Sequence, residues 1–402
     1  MTGPGASVAR GSAPRTEALT VEEFGLGDPR LREFVALTWR LYRGDPHWTP
    51  PLDADYLGNK LLGTVGLLTA EHPYHLSADV THFLARRDGR VVGRVSAAEN
   101  RRFNAHYGSR IGFFGFFECE NDFEAASALL DAARDWILAR GMTAMRGPGE
   151  YSNATHERQG VLVHGFDSDP TVECTHNPPY YDELLQRWGL SKVMDYHAYT
   201  VDIADTPEER LHRLANAARK RASVAIETRA AVLENLDEEL THVIHIYNEA
   251  WAKNWGFLPL TDAEAAAVAD TLRPIIDPGL VRFALVDGEP VAVLGAFPDP
   301  NWALKPKWGP LGDSDPVRIA RLLATRRNIP RVRLMFFGVK PGYRIRGLDA
   351  ILFEEAYEYS KANGYTSVEA SLLLEVNDLI IRASEAFGGK LTKTWRIYER
   401  AL

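Results

Sequence analysis

Cysteine is scarce in this chain of 402 residues, which contains only Cys119 and Cys174. Two thiols are too few for a disulfide framework or a cysteine-built zinc site, and they fit a reducing compartment, so we expect a cytoplasmic protein. Long apolar runs are also missing. The longest candidate, 61–70, is interrupted by glycine and threonine. It is shorter than the roughly 18 residues that a membrane helix needs, so we expect no integral membrane contact.

Excess positive charge is absent as well, because 54 acidic residues outweigh 46 basic ones and the net charge is −8. Bulk attraction to nucleic acid is therefore not expected, and we predict no nucleic-acid partner. The dense basic segment 210–221 contains no aromatic residue. We interpret it as a solvated linker helix whose arginines pair with neighbouring acids, with an anion or RNA contact as the alternative.

The motifs of metal and hydrolase chemistry are missing too. The sequence has no His-Glu-x-x-His, no His-x-His, no Gly-x-Ser-x-Gly elbow and no Walker loop. We therefore predict no metal, and neither a common hydrolase nor a nucleoside triphosphatase. Residues 1–18 are rich in Gly, Ala, Ser and Pro and lack the apolar core of a signal peptide, so we interpret them as a flexible tail.

A repeated order of elements is what the sequence does contain. Asp88-Gly89 and Asp287-Gly288 each join two β-rich runs, as expected of tight hairpins. Each hairpin follows an amphipathic helix pattern and precedes an aromatic strand and a second helix that ends at glycine. The alternative is that such hairpins are common and unrelated. We predict a mixed-sheet α/β fold in two tandem domains, 19–205 and 223–402, joined by a linker helix over 206–222.

The second half holds the motif with the clearest chemistry. A strand that ends at Val339 leads through a short basic loop into an amphipathic helix that begins near Leu348. Such a loop directs free backbone N–H groups and the positive end of a helix dipole to one point, which suits a pyrophosphate. A side chain at Gly347 would hold the phosphates away from the backbone.

The stretch Arg344-Ile-Arg-Gly-Leu-Asp349 resembles the pyrophosphate loop of the GNAT superfamily of acyl-CoA-dependent N-acyltransferases, which reads Arg/Gln-x-x-Gly-x-Gly/Ala, and it departs from that loop at Asp349. The resemblance covers 223–402 and implies acyl-CoA as co-substrate, either acetyl-CoA or a longer thioester. The cofactor-binding residues that it implies are Phe337, Val339, Tyr343, Arg344, Ile345, Arg346, Gly347, Leu348 and Asn377.

The implied chemistry is acyl transfer to an amine, which must lose its proton before it attacks. Strand alternation puts Glu369 and Glu375 on one face, so they are the candidate bases, with a surface or cap position as the alternative. The family commonly has an acidic tyrosine where this chain has Ser384. The proton donor for the leaving thiolate is therefore left open: it is Tyr398, water or no residue at all.

In the first half, a run of acids from Glu118 to Glu124 replaces the phosphate loop. Carboxylates would repel a pyrophosphate, so we expect a degenerate copy that helps to shape the acceptor pocket. Polar side chains in turn-rich segments are candidate pocket walls, with ordinary turn or core roles as the alternative. They are His106, Asn153, Glu157, His176 and Tyr180.

The stretch Tyr42-Arg-Gly-Asp-Pro-His-Trp48 resembles a segment of bacterial tandem-GNAT proteins, some of which are linked to N-acylation of sphingoid bases. We therefore predict an N-acyltransferase for an amine acceptor, with lipid-like amines included. The alternative is a non-catalytic protein that binds CoA or a partner on the same duplicated fold. A homodimer is left open.

Overall fold

The computed structural model describes residues 18–60, 63–151, 158–222, 224–309, 312–344 and 347–402. The elements of the first half are β1 Leu19–Phe24, α1 Leu31–Leu41, α2 Asp53–Leu57, β2 Ala78–Arg87, β3 Arg90–Asn100, α3 Arg101–Tyr107, β4 Ile111–Cys119, α4 Phe123–Leu138, β5 Ala144–Gly149, β6 Val161–His164, α5 Tyr180–Arg187 and β7 Ser191–Asp202. A further helix, α6 Glu208–Arg221, leads into the second half.

The elements of the second half are β8 Ile226–Ala230, α7 Leu236–Ala250, α8 Asp262–Leu272, β9 Val281–Val286, β10 Glu289–Pro298, α9 Asn301–Leu304, α10 Asp315–Thr325, β11 Arg331–Val339, α11 Leu348–Ala362, β12 Ser367–Leu374, α12 Asp378–Ala386 and β13 Lys390–Ala401. The order of strands and helices around β2–β3 recurs around β9–β10, as the sequence predicts.

Both hairpins form with the turn chemistry that the sequence indicates. Asp88 and Gly89 have φ of 48° and 81°, and Asp287 and Gly288 have φ of 52° and 82°. Positive φ at both central residues lets the paired strands follow the right-handed twist of a sheet. Short loops of this kind set the register of β2 on β3 and of β9 on β10.

Within the described residues, thirteen strands form one mixed sheet. Its order is β1-β2-β3-β4-β5-β13-β7-β12-β11-β10-β9-β8, and the short β6 pairs with β13 beside this path. The β4–β5 and β11–β12 pairs are parallel, and the other neighbours are antiparallel. The predicted mixed-sheet α/β class is confirmed.

The last strand of each half pairs with the other half. β13 lies against β5, where Tyr398 faces Gly147, and β7 lies against β12, where Thr200 faces Glu369. The side chain of Trp395 on β13 is completely buried. Each half therefore needs a strand from the other to complete its sheet and core.

Near the β11–β12 pair, the two faces of the sheet differ in polarity. The apolar face lies under α11 and α12 and presents Val332, Leu334, Val368 and Ala370. The polar face is covered by the connection 165–177 from the first half and presents Arg331, Arg333 and Glu369.

Buried ion pairs hold this connection on the second half. Asp299 is fully buried and accepts hydrogen bonds from Arg331 Nε at 2.9 Å and from the Val172 N–H at 2.8 Å. Burial raises the pKa of Asp299, and the charge of Arg331 opposes that rise. Lys305 Nζ lies 2.6 Å from an Asp169 carboxylate oxygen in the same connection.

From its charge we expected the basic helix α6 to be solvated. One face of the helix is instead buried. Leu211, Ala215 and Ala218 are buried, because this face of the helix packs on α11. The expected pairing with acids is present, since Arg219 donates to Glu354 of α11 at 2.5 Å. The amphipathic spacing of the small apolar residues, rather than the charge, decides where the helix lies.

Arg331→Met should lower the free energy of unfolding by about 3 kcal/mol, because it leaves the Asp299 carboxylate buried without its cationic partner. Urea unfolding at pH 7 measures this change. The matched control is Arg327→Met, at an exposed arginine shortly before β11, for which we expect a change within about 0.5 kcal/mol. Equal unfolding energies for the two variants would contradict the prediction.

Candidate functional site

β11 and β12 pair over their first residues and then part. Their parallel pairing runs from Arg331–Ser367 to Leu334–Ala370. Beyond that point, the register of β10 on β11 shifts after Gly295, and the register of β12 on β7 shifts after Ala370. Irregularities of this kind bend strands away from their neighbours. They open a V-shaped gap between the carboxyl ends of β11 and β12, which we call the wedge.

The loop after β11 is tied back to its surroundings by Arg344. Its guanidinium donates to the Ala250 carbonyl at 2.6 Å and to the Val339 carbonyl at 3.3 Å. Arg344 thus holds the loop against the end of α7, a structural role beside the phosphate contact that the sequence predicts. The neighbouring loop residues Ile345 and Arg346 lie outside the described residues.

Gly347 begins α11 in a left-handed conformation with φ of 76°. Among the described residues, no side chain caps this helix start, so its first backbone N–H groups suit an anion. A Cβ at position 347 would come within 2.5 Å of the Ala218 Cβ on α6. The next residue, Leu348, is buried and anchors the helix to the sheet.

A groove lies between α6, the start of α11 and the end of α12. Its empty volume is about 1430 Å³, with the part open to solvent included. Its lining is mostly apolar, but Arg221 and Asp349 both contribute to it. The acid at the position where the loop departs from the family pattern therefore shares the groove with a cation from α6.

Helix α12 follows Asn377, whose backbone N–H donates to the Leu374 carbonyl at 2.9 Å. Ser384 lies within this helix, 9% exposed, and its hydroxyl donates to the Ile380 carbonyl at 2.9 Å. The hydroxyl proton of Ser384 is thus engaged in a hydrogen bond within α12. This geometry gives no support to Ser384 as the acid for a leaving thiolate.

Glu375 follows the last residue of β12, and its side-chain partners lie on β7, the neighbour of β12 on the side away from β11. Its carboxylate accepts from Lys192 Nζ at 2.7 Å and from the Asp195 N–H at 3.0 Å. Burial alone would lower the pKa of Lys192, but its hydrogen bonds to Glu375 and Asp195 raise it above the usual value. Glu375 is 28% exposed, so its carboxylate has access to solvent.

Glu369 has a different environment, at the closed end of the wedge. It is 3% exposed and accepts from the hydroxyls of Thr171 at 2.5 Å and Ser371 at 2.9 Å. The partners of Glu369 and Glu375 are separate sets. The irregularity of β12 after Ala370 interrupts the simple alternation from which we expected both acids on one face.

Tyr398 lies in the core of the first half. It is completely buried, and its hydroxyl donates to Asp182. Burial raises the pKa of Tyr398 well above its usual value. In the sheet, β7 separates its strand from β12. The structure therefore offers no basis for a general-acid role of Tyr398.

His197 is a candidate site residue that the sequence analysis missed. It lies on β7 opposite Leu373 of β12, half-buried, with Nδ1 3.2 Å from the Thr394 hydroxyl. Burial lowers its pKa, which favours the neutral imidazole at pH 7. No motif marks a histidine in the middle of a strand, so only the pairing of β7 with β12 reveals its position.

In the first half, the protein's own side chains occupy the corresponding helix start. Glu118 is partly buried and accepts from the hydroxyls of Tyr42 at 2.8 Å and Tyr181 at 2.7 Å. Asp122 caps α4 and pairs with Arg87 at 2.6 Å. We expected repulsion between free acids and a phosphate, whereas these acids are paired internally and close the helix start.

Three of the five predicted pocket residues lie in the part of the chain that the structure describes. His106 is exposed on α3. His176 pairs with Asp45 at 3.0 Å, and the Tyr180 hydroxyl donates to a backbone carbonyl of β4 at 2.8 Å. Two further candidates lie outside the described residues: Asn153 and Glu157.

The two halves meet at the connection 251–261 between α7 and α8. The ring of Trp255 lies 6.5 Å from that of Tyr196, and the Arg146 guanidinium lies 5.0 Å from the same indole. The Tyr107 hydroxyl donates to the backbone carbonyl of Phe257 at 2.7 Å. Trp255 also packs against an apolar cluster that includes residues of β12, which places this contact beside the wedge.

Comparison with known proteins identifies the family. No protein-family model matches the chain. The chain is 33% identical over 380 residues to the bacterial ceramide synthase of Caulobacter vibrioides, an alignment that covers 92% of this chain and 95% of that enzyme. The chain belongs to the family of this ceramide synthase.

Solved structures agree with this assignment at the level of the fold. A tandem GNAT protein from the clavulanic acid biosynthesis pathway has a TM-score of 0.53 at 14% identity, over 96% of this chain and 98% of that one. A fungal β-N-acetylglucosaminidase with a GCN5-related glucosamine N-acetyltransferase region has a TM-score of 0.55 at 14% identity. The alignment covers 98% of this chain and 39% of the fungal one. The family member described here thus has the duplicated GNAT fold that its loop and helix motifs indicate.

Two features of the structure bear on membrane and cation binding. In the part of the chain that the structure describes, no helix is both long and apolar enough to cross a bilayer. Glu208, His212 and Glu358 on α6 and α11 come close enough to share a cation. His212 Nδ1 is already 2.7 Å from Glu354, so these side chains also serve as ion pairs between the two helices.

Gly347→Ala should weaken CoA binding by at least about tenfold, because a Cβ at positive φ displaces the backbone N–H groups from the phosphates. The substitution is made together with Ala218→Gly, which removes the Cβ that the new side chain would strike. Calorimetric titration with CoA measures the affinity, and Ala218→Gly alone is the matched control. Equal affinities for the control and the double variant would contradict a phosphate site at this helix start.

Proposed function

We propose that this protein transfers an acyl group from acyl-CoA to the amino group of a lipid-like amine, of the sphingoid-base class. The observation that carries the proposal is the wedge between β11 and β12 next to the glycine start of α11. A phosphate group held at Gly347 would let an extended thioester arm pass along the free edge of β11. The name of the ceramide synthase relative supports a lipid amine as the acceptor.

The proposed reaction forms one bond and breaks another. The neutral amine nitrogen attacks the thioester carbonyl carbon, a C–N bond forms and the C–S bond breaks. The amine loses one proton to a base, and the thiolate takes up one proton, so that the products are an amide and free CoA. Because an alkylammonium has a pKa of about 10.4, removal of its first proton is the step that needs help from the protein.

Glu375 is the base that we propose, acting through a water molecule at the mouth of the wedge. Its partial exposure allows the proton to leave to solvent, and its ion pair with Lys192 fixes its position. Glu369 is better suited to hold the closed end of the wedge, since both of its hydroxyl partners are buried. A backbone N–H at the end of β11, between Phe337 and Val339, would polarise the carbonyl.

The acceptor would bind on the opposite side of the wedge from the CoA groove, where the α7–α8 connection meets the first half. Trp255 offers apolar surface there, next to the buried ring of Tyr196, and the polar side chains of Arg146 and Tyr107 lie close by. Such a mixture suits an amine with a hydrocarbon tail and a hydroxylated head. In this arrangement, the first half contributes walls to the site without binding a second CoA.

A non-catalytic CoA-binding protein is the second candidate, and the commitment of the Ser384 hydroxyl to Ile380 favours it. A turnover assay decides between the two, with acetyl-CoA and long-chain acyl-CoAs as donors, long-chain amino alcohols as acceptors and release of free thiol as the readout. We expect thiol release that depends on the amine. Tight binding of CoA without amine-dependent thiol release would favour the second candidate.

Glu375→Gln should lower kcat by about 100-fold with little change in the KM for acyl-CoA, because it removes a proton acceptor and leaves the phosphate site intact. Initial rates over a pH series measure this effect, and the residual activity should rise with pH as more amine becomes neutral. The control is Glu289→Gln, at an exposed position in the β9–β10 hairpin. Unchanged kcat in Glu375→Gln would remove this residue from the mechanism.

Trp255→Ala should raise the KM for a long-chain amine by about tenfold while the KM for acyl-CoA stays constant, since it removes apolar surface on the acceptor side alone. Steady-state kinetics with each substrate varied in turn separates the two constants. Trp302→Ala, at a tryptophan that is 42% exposed, is the matched control. An equal rise in both KM values would show that Trp255 supports the fold of the site and not the acceptor.

A further inference from the structure

A cavity distinct from the CoA groove lies on the apolar face of the sheet, beneath α11 and α12. Its empty volume is about 770 Å³, with the part open to solvent included. Hydrocarbon side chains form most of its walls, among them Leu294, Val332, Leu334, Val368, Ala370 and Ile380.

Three of the four hydroxyl side chains that line this cavity donate hydrogen bonds within the protein. The Thr206 hydroxyl donates to a backbone carbonyl at 3.3 Å, that of Tyr357 to Glu208 at 3.1 Å, and that of Ser384 to a backbone carbonyl at 2.9 Å. A cavity with such walls gives water few partners and favours hydrocarbon. Unfilled space of this kind also costs stability, so occupation by an apolar ligand is favourable.

The cavity begins where the wedge closes. Leu334 and Ala370 are the last residues of the β11–β12 pairing, and both line the cavity. Phe387 lines both the cavity and the groove at the start of α11. At 3.3 Å per residue, Leu334 lies roughly 17 Å along β11 from Val339, a distance that an extended thioester arm can span.

We infer that this cavity holds the hydrocarbon tail of a long-chain acyl-CoA, an inference that rests on the proposed function. The tail would continue in the direction of the thioester arm, past the closed end of the wedge. The side chain of Ser384 is small and lines this cavity from α12, so it leaves room that a larger side chain would fill. The acceptor side belongs to the opposite face, which Arg331, Arg333 and Glu369 make polar near this point.

Calorimetric titration of the full chain with CoA and with palmitoyl-CoA, below its micelle concentration and without amine, tests this inference. The wild type should bind palmitoyl-CoA at least about 100-fold more tightly than CoA. Ser384→Phe and Ala356→Leu fill the cavity from α12 and from α11. Each should weaken palmitoyl-CoA binding by about 50-fold, because every methylene excluded from apolar surroundings costs about fourfold in affinity. Their affinity for CoA should stay within about twofold of the wild type.

Leu379→Phe is the matched control, since Leu379 is on the same helix and 84% exposed; it should bind both ligands like the wild type. Circular dichroism and the unfolding midpoint show whether each variant is folded, and if Ser384→Phe is not, Ala356→Leu decides. Equal affinities of the wild type for CoA and palmitoyl-CoA, or no effect of filling the cavity, would overturn the inference alone. No binding of either ligand would overturn the proposed function with it. A variant that weakens binding of a long-chain amine but not of palmitoyl-CoA would assign the cavity to the acceptor and likewise overturn the inference.

Discussion

The position of β13 between β5 and β7 is the constraint on which the rest of the structure depends. β13 is antiparallel to both neighbours, and β7 is antiparallel to β12. The parallel pair β4–β5 therefore runs opposite to the pair β11–β12. The carboxyl ends of the two parallel pairs therefore lie at opposite ends of the strands of one sheet. As a result, the duplicated fold does not bring two equivalent sites together.

The first half fills its own helix start with side chains and also makes contacts with the second half. Its acids are satisfied by tyrosine and arginine side chains, and Asp122 caps the start of α4. Its connection 165–177 covers the polar face of β11 and β12 and brings Thr171 to Glu369. The first half thus acts as structural support for the wedge, and in the proposed function it also forms one wall of the acceptor site.

In the second half, one face of the sheet is apolar and the other is polar. On one face, apolar side chains under α11 and α12 line the cavity beyond Leu334, and the groove at Gly347 lies beside it. On the other face, Arg331 pairs with Asp299, and Arg333 and Glu369 both bond to Ser371, in a buried layer. The cost of burying those charges is offset only while each keeps its partner. In the proposed function, an amine and an acyl chain would approach one thioester from different sides without competing for space.

The sequence by itself determined the local elements of this protein. Positive φ at Asp-Gly pairs, periodic apolar residues and a glycine at a helix start depend on a few neighbouring residues, so the hairpins, the long helices and the loop before α11 could be predicted. The same signals indicated the fold family. Tertiary structure alone decided that Tyr398 lies in the core of the first half and that His197 lies opposite β12, because the partner of a strand is chosen by distant residues. It also decided that Glu369 and Glu375 have separate surroundings, since an irregular β12 breaks the alternation that a regular strand would keep.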